Sequence, residues 1–165
     1  MTDTTNDHQD DRERVAELVK SARIALLTTV NAHGQLVSRP LASQERDFDG
    51  DLWFFTQDPS DKTAEIRAND QVNVSLQSGD GFLSIAGTAE ITRDRARIDE
   101  LWSPIMKTWF TGGKDDPRIT VIKVAPVSGY YWDNKHGGLV AATKMVIGAA
   151  IGKTLDDSIE GRLKP

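Results

Sequence analysis

No cysteine occurs among the 165 residues. Disulfides, thiolate metal ligands and cysteine nucleophiles are thereby excluded. The absence also fits a reducing compartment, and the expected location is the cytoplasm. Histidine is scarce: His8, His33 and His136 fall in a polar N-terminal stretch, a turn and a glycine-rich segment. None shares a helical or strand face with a set of carboxylates, so no metal centre is expected. No Gly-x-Ser-x-Gly stretch is present, which leaves acyl transfer without a nucleophile elbow. No segment reaches the roughly 20 apolar residues needed to span a bilayer. The most apolar part of the tail, residues 140–151, is short and contains Lys144. Clustered basic residues are lacking too. With a net charge of -5 and both signs interspersed, the surface is not suited to neutralising a run of phosphates. Nucleic acid and membrane are therefore not expected partners.

The chain length suits one domain with its own core. Residues 1–14 are polar and acidic, without the basic start and apolar run of a secretion signal. Residues 1–12 are expected to form a disordered tail, residues 13–135 the folded domain, and residues 136–165 a C-terminal helix and tail. Val15, Leu18, Val19 and Ala22 recur at helical spacing between charged residues, which predicts an amphipathic helix lying on the domain.

From residue 24 the texture changes to that of β-structure. Residues 24–30 are a dense β-forming run, residues 31–34 a turn in which Gly34 is free to take a positive φ, and residues 35–41 the return strand. Asp49-Gly50 marks a second turn before an aromatic strand at 51–56, which Pro59 terminates. A short helix is predicted over 62–68. Val72, Val74 and Leu76 alternate as in a half-buried strand, and a strand at 82–92 is expected to bulge near Gly87. Ile98, Leu101, Trp102, Ile105, Met106 and Trp109 predict a helix over 93–110. Strands at 118–124 and 129–133 and a terminal helix at 137–152 complete the pattern. Gly148 to Thr154 is one residue short of a phosphate loop and has no strand before it, so it reads as the end of that helix. Six or seven strands in largely hairpin connections indicate a mainly β chain, an antiparallel barrel with peripheral helices.

Two stretches could carry chemistry. In Ser38-Arg39-Pro40-Leu41, the guanidinium can grip a phosphate or a polar ring edge, and Pro40 cannot donate to a ladder. The same residues also read as a surface arginine beside a strand-ending proline. In residues 54–62 a strand ends and a helix begins. Ser60 suits the N-cap and Lys62 falls in the first turn, so helix amides, a hydroxyl and an ammonium could cradle a phosphate. A routine cap with solvated charges is the competing reading. Trp53, Trp102 and Trp109 read as core or interface residues. Trp132 closes the last strand, where its ring could line a site for a flat ligand.

Taken in order, Arg39-Pro40-Leu41, Phe55-Thr56 with Ser60 and Lys62, and Tyr131-Trp132-Asp133 resemble the pyridoxamine 5′-phosphate oxidase-like superfamily, and within it the bacterial general stress proteins. The resemblance covers residues 15–133, and those proteins have a comparable alanine- and lysine-rich C-terminal segment. It implies a Greek-key split barrel of six to seven antiparallel strands that binds flavin mononucleotide (FMN) in a homodimer. Arg39 and Lys62 would hold the phosphate with help from Ser60. Residues 39–41, including Pro40 and Leu41, would run along the flavin, Phe55 and Thr56 would line its ring and ribityl side, and Trp132 would come from the partner subunit. The departures point away from pyridoxamine phosphate oxidation. Gln44 and Asp61 stand where the oxidases carry a lysine and an arginine, and residues 134–138 lack their Arg-x-His element. A flavin-dependent oxidoreductase acting on an unidentified small substrate is expected, with a non-catalytic flavin store as its competitor. FAD and deazaflavin remain alternative ligands, while haem is disfavoured because no axial ligand is well placed.

Overall fold

The computed structural model describes residues 4–43, 48–79, 81–133 and 143–145. Helix α1 (Thr4–Ser21) leads into strand β1 (Ile24–Val30), which a tight turn joins to β2 (Leu36–Ala42). Asn31 builds that turn: its side-chain oxygen accepts from the amides of His33 and Gln35, and Gly34 takes φ 74°. Strand β3 (Leu52–Gln57) precedes helix α2 (Asp61–Ala68). Strands β4 (Gln71–Ser78), β5 (Gly81–Thr92) and β6 (Ile119–Asp133) follow, with helix α3 (Arg95–Leu101) and a 3-10 turn, Pro104–Thr108, between the last two. A short strand β7 (Thr143–Met145) pairs with β6.

All pairings are antiparallel, and the order across the sheet is β2-β1-β4-β5-β6-β3. Strands β4, β5 and β6 follow one another directly while β3 returns beside β6, which is the Greek-key order. The curled sheet brings β2 and β3, its two ends, close together without a ladder between them. The molecule is thus a mainly β split barrel with peripheral helices.

Period-two alternation places Ala25 and Leu27 of β1, Val72, Val74 and Leu76 of β4, and Leu83 and Ile85 of β5 inside the curl. Val15, Leu18, Val19 and Ala22 of α1 close one side of this core. Strand β3 departs from alternation because it is buried on both faces. Leu52 and Phe54 point into the barrel, whereas Trp53 and Phe55 join Ile98, Leu101 and Met106 in a second cluster under α3. Strand β6 does the same, with Ile122 and Val124 on one side and Ile119 and Val121 on the other.

Helix α1 begins at Thr4. Three sequence expectations need correction. The helix expected over 93–110 stops at Leu101 because Pro104 cannot continue it, and Trp102 and Ser103 take extended conformations. The two strands expected at 118–124 and 129–133 are one strand, in which Val127 is the unpaired extra residue of a bulge opposite Ala86 and Gly87. Part of the helix expected over 137–152 is strand β7; the rest of that stretch lies outside the described residues.

The bulge explains Gly87. A methyl group there would stand 2.5 Å from the Ala125 carbonyl oxygen and 3.0 Å from Val124 Cγ1. Gly87→Ala is expected to destabilise the fold by about 1–3 kcal/mol, the usual range for overpacking. The urea midpoint should fall with an unchanged m value; a midpoint equal to that of the parent protein would contradict this account.

Candidate functional site

The turn from β3 into α2 is built around one buried carboxylate. Ser60 sits at the N-cap in an extended conformation and forms a capping box with Thr63. Two residues earlier, Asp58 is only 6% exposed. Its Oδ1 accepts from Thr63 Oγ1 at 2.9 Å and Arg67 Nη1 at 2.8 Å, and its Oδ2 from Arg67 Nη2 at 2.7 Å and Arg93 Nη2 at 2.8 Å. The Arg67 hydrogen bonds are the main reason that the carboxyl titrates well below the ordinary carboxylate range. Asp58 therefore ties the end of β3 to the first and last turns of α2 and to Arg93, just beyond β5.

Helix α2 then presents Lys62 and Glu65, one turn apart, towards β2. Arg39 lies across from them. Its Nη1 donates to Thr29 Oγ1 at 2.7 Å and its Nη2 to Glu65 Oε2 at 2.8 Å. The Thr29 hydroxyl donates to the same carboxylate oxygen at 2.6 Å. Hydrogen bonds from Thr29 and then Arg39 lower the Glu65 pKa, while partial burial and the positive charge of Arg39 lower that of Lys62. Two cations from elements distant in sequence thus share one partly dry corner, an arrangement that suits an anionic ligand. Glu65 was absent from the sequence reading. Its signal was Thr29, a polar residue at the inward phase of β1 after Ala25 and Leu27, which has to find a partner.

The remaining sequence-predicted residues separate into groups. Ser60 shares the first turn of α2 with Lys62, although its hydroxyl is already engaged by Thr63. Pro40 is exposed on β2 opposite Leu26, and Leu41 packs against the barrel core. Phe55 is not a wall of an open site. Its ring is buried, edge-on to Trp102 at 5.6 Å and tilted against Phe110 at 6.0 Å. Thr56 is buried as well. Both residues can offer a ligand only their backbone, and β3, like β2, is a terminal strand of the sheet order, with one edge outside any ladder among the described residues. Trp132 stands elsewhere. It pairs with Phe82 on the outer sheet face. Its strand β6 pairs with β3, but Trp132 lies far along it from Val121, the partner of Phe55, on the order of 30 Å at the usual rise per residue. Gln44 and residues 134–138 lie outside the described residues.

Asp58 allows a pH test. Its pKa is depressed by folding, so its contribution to stability is present above the unfolded value of about 3.9 and is lost as the pH falls towards the folded value. Asp58→Asn is expected to lower the melting temperature at pH 7, with the gap to the parent protein narrowing below about pH 4. Melts at pH 7, 5 and 3 check this; a constant gap would exclude the charge as the cause.

The family model described as "Pyridoxamine 5'-phosphate oxidase like" matches residues 10–156. Protein bli-3 of Neurospora crassa is 33% identical over 129 residues, an alignment that covers 71% of this chain and 62% of that protein. The chain thus spans less than two thirds of the length of this relative. General stress protein 26 of Bacillus subtilis is 26% identical over 125 residues, covering 72% of this chain and 85% of that protein. Among solved structures, the general stress FMN/FAD binding protein of Xanthomonas citri superposes with a TM-score of 0.68 at 28% identity, covering 84% of this chain and 98% of that one.

Proposed function

From the premise that this chain belongs to the pyridoxamine 5′-phosphate oxidase-like family and is similar to its general stress proteins, we propose that it binds FMN between the open edges of β2 and β3, in a homodimer. The observation that carries this reading is the convergence of Arg39 and Lys62 beside those edges. Arg39 and Lys62 would hold the phosphate, and the first turn of α2, capped by Ser60, would add backbone amides. The unpaired strand edges at residues 39–41 and at Phe55-Thr56 would supply backbone groups to the polar rim of the ring. A relative described as FMN/FAD binding supports the cofactor class, and FAD or a deazaflavin would engage the same groups.

A bound flavin would supply hydride or electron transfer, and the protein would set access to it and its potential. An oxidoreductase acting on a small substrate is therefore the leading activity, in the cytoplasm, where a chain without cysteine is at home. Oxidation of pyridoxamine phosphate is not proposed, since Asp61 replaces the arginine that the oxidases place before the lysine. A flavin store without turnover is the second reading, and one observation favours it. Two carboxylates beside the site, Asp58 and Glu65, are engaged by arginines and thereby held ionised, so neither is available as a proton donor. Reduction by a nicotinamide donor and reoxidation by a defined acceptor would separate an enzyme from a store.

Self-association is supported by the outer face of the sheet. Cross-strand pairing aligns Pro40, Leu26, Ser75, Ser84 and Tyr130 in one row across that face. Ile24, Phe82 and Trp132 lie on the same face, and Ile24 and Leu26 are 47% and 46% exposed. Apolar side chains spread over one sheet face suit contact with a second copy. Trp132 lies too far along β6 from Phe55-Thr56 to serve the site of its own chain, so the partner subunit would bring it.

Replacing Arg39 and Lys62 together by alanine is expected to weaken FMN binding by on the order of 100-fold with little effect on riboflavin, because two charge-assisted contacts to the phosphate are lost. Titrations of both flavins read this, and equal losses would sink the phosphate assignment. Leu26→Glu is expected to yield a monomer by light scattering, with flavin affinity lost alongside. A dimer of unchanged affinity would place the interface elsewhere.

A further inference from the structure

We propose that Glu65 is a positioning residue that also competes with the ligand: it fixes the Arg39 guanidinium and offsets its charge, so that a phosphate is held exchangeably rather than tightly. This rests on the FMN phosphate reading above. Arg39, Thr29 and Glu65 form a closed ring of contacts, each bonded to the other two at 2.6–2.8 Å. Thr29 is fully buried, and the Arg39 and Glu65 side chains are only 19% and 12% exposed. Little water is therefore available to screen the pair.

The ring has two consequences. The first is geometric. A guanidinium has five N–H donors in a fixed fork. One on Nη1 and one on Nη2 are used, which leaves Nε and one hydrogen on each Nη to meet a ligand. Because Thr29 anchors the carboxylate and the carboxylate anchors the guanidinium, these free donors have a set direction before any ligand arrives, and less side-chain freedom is lost on binding. The second is electrostatic. Arg39 and Lys62 alone would give the corner two positive charges. Glu65, one turn after Lys62, and Asp61, its neighbour, contribute two negative charges. An incoming phosphate therefore meets a neutral local sum, and it must share Arg39 with a carboxylate already bound there. The site keeps the shape of a phosphate cradle while giving up much of its attraction.

Two substitutions separate these roles. In Glu65→Gln the amide oxygen can accept the same two hydrogen bonds while the charge disappears. FMN affinity is expected to rise by about tenfold at low salt, with riboflavin affinity unchanged and the gain shrinking as salt is added. In Glu65→Asp the charge stays but the carboxylate retreats by one methylene and loses its reach to Thr29 and Arg39. FMN affinity is expected to fall by about tenfold, again with riboflavin unchanged. Fluorescence titrations with both flavins on the full chain read these shifts, and melting curves confirm that each variant folds; if one does not, the other decides alone. Glu65→Gln binding FMN no tighter than the parent protein would overturn the competing role, and Glu65→Asp binding FMN as the parent does would overturn the positioning role. If the parent protein itself fails to prefer FMN over riboflavin, the phosphate reading falls and this inference falls with it. A parent that prefers FMN beside variants that do not shift would remove this inference alone.

Discussion

A carboxylate withdrawn from water needs donors on both oxygens, and at Asp58 four of them converge from three places in the chain. Thr63 and Arg67 come from the two ends of α2, and Arg93 from the residue after β5. The backbone takes part as well, since the Asp58 amide donates to the Arg118 carbonyl at the start of β6. This knot fixes the direction in which α2 leaves β3, and that direction decides what α2 can reach. Lys62 and Glu65 face Arg39 only because the helix is held along this line. The corner between β2 and α2 depends on an aspartate that has no part in it.

The hairpins were legible because each face of β1, β4 and β5 repeats every second residue and Gly34 and Gly87 mark the points where the chain must turn or approach closely. What escaped had local causes. Val127 and Pro126 look like an interruption between two strands, yet Pro126 pairs with Gly87, a bulge absorbs Val127, and β6 continues through both. Pro104 stands inside an apolar spacing that otherwise continues to Trp109, and its effect on the backbone outweighed the periodicity. For the site, residue type and order indicated Arg39 and Lys62, but no local pattern pairs Arg39 with Glu65. That contact joins positions 26 residues apart and exists only once α2 is pinned. The only trace of it in the sequence is a threonine at a core phase of β1.

The aromatic strand shows how similar residues can invite the wrong role. Leu52 to Phe55 are four consecutive buried side chains, and such a run belongs to a strand with a core on each face rather than one. The second core, under α3 and the 3-10 turn, claims Trp53 and Phe55. Once those rings are internal, β3 would meet a ligand with its open edge and not with its aromatic surface. The same burial stiffens the strand, which favours a backbone contact over a side-chain one, since backbone groups in a rigid strand are already aimed.

Open edges are a hazard for any sheet, because unpaired N–H and C=O groups invite another strand. Among the described residues this sheet has two such edges, on β2 and β3, close together at the split. Pro40 removes one donor from β2 and so blunts it against strand addition. A flat ligand rimmed with acceptors and donors is another way to satisfy such edges, and it leaves the barrel split rather than closed. On that reading the site and the apolar outer face are not independent features. One chain would bring the edges and the cations, while Trp132 lies far along β6 on the outer face, so a second copy would complete the site. Affinity for the ligand and affinity between subunits would then be linked: the factor by which pairing tightens ligand binding is the factor by which the ligand tightens pairing. Arg39, Lys62 and Glu65 all belong to one chain, so their contacts would count alike in monomer and dimer, and the linkage would rest on what the second copy adds.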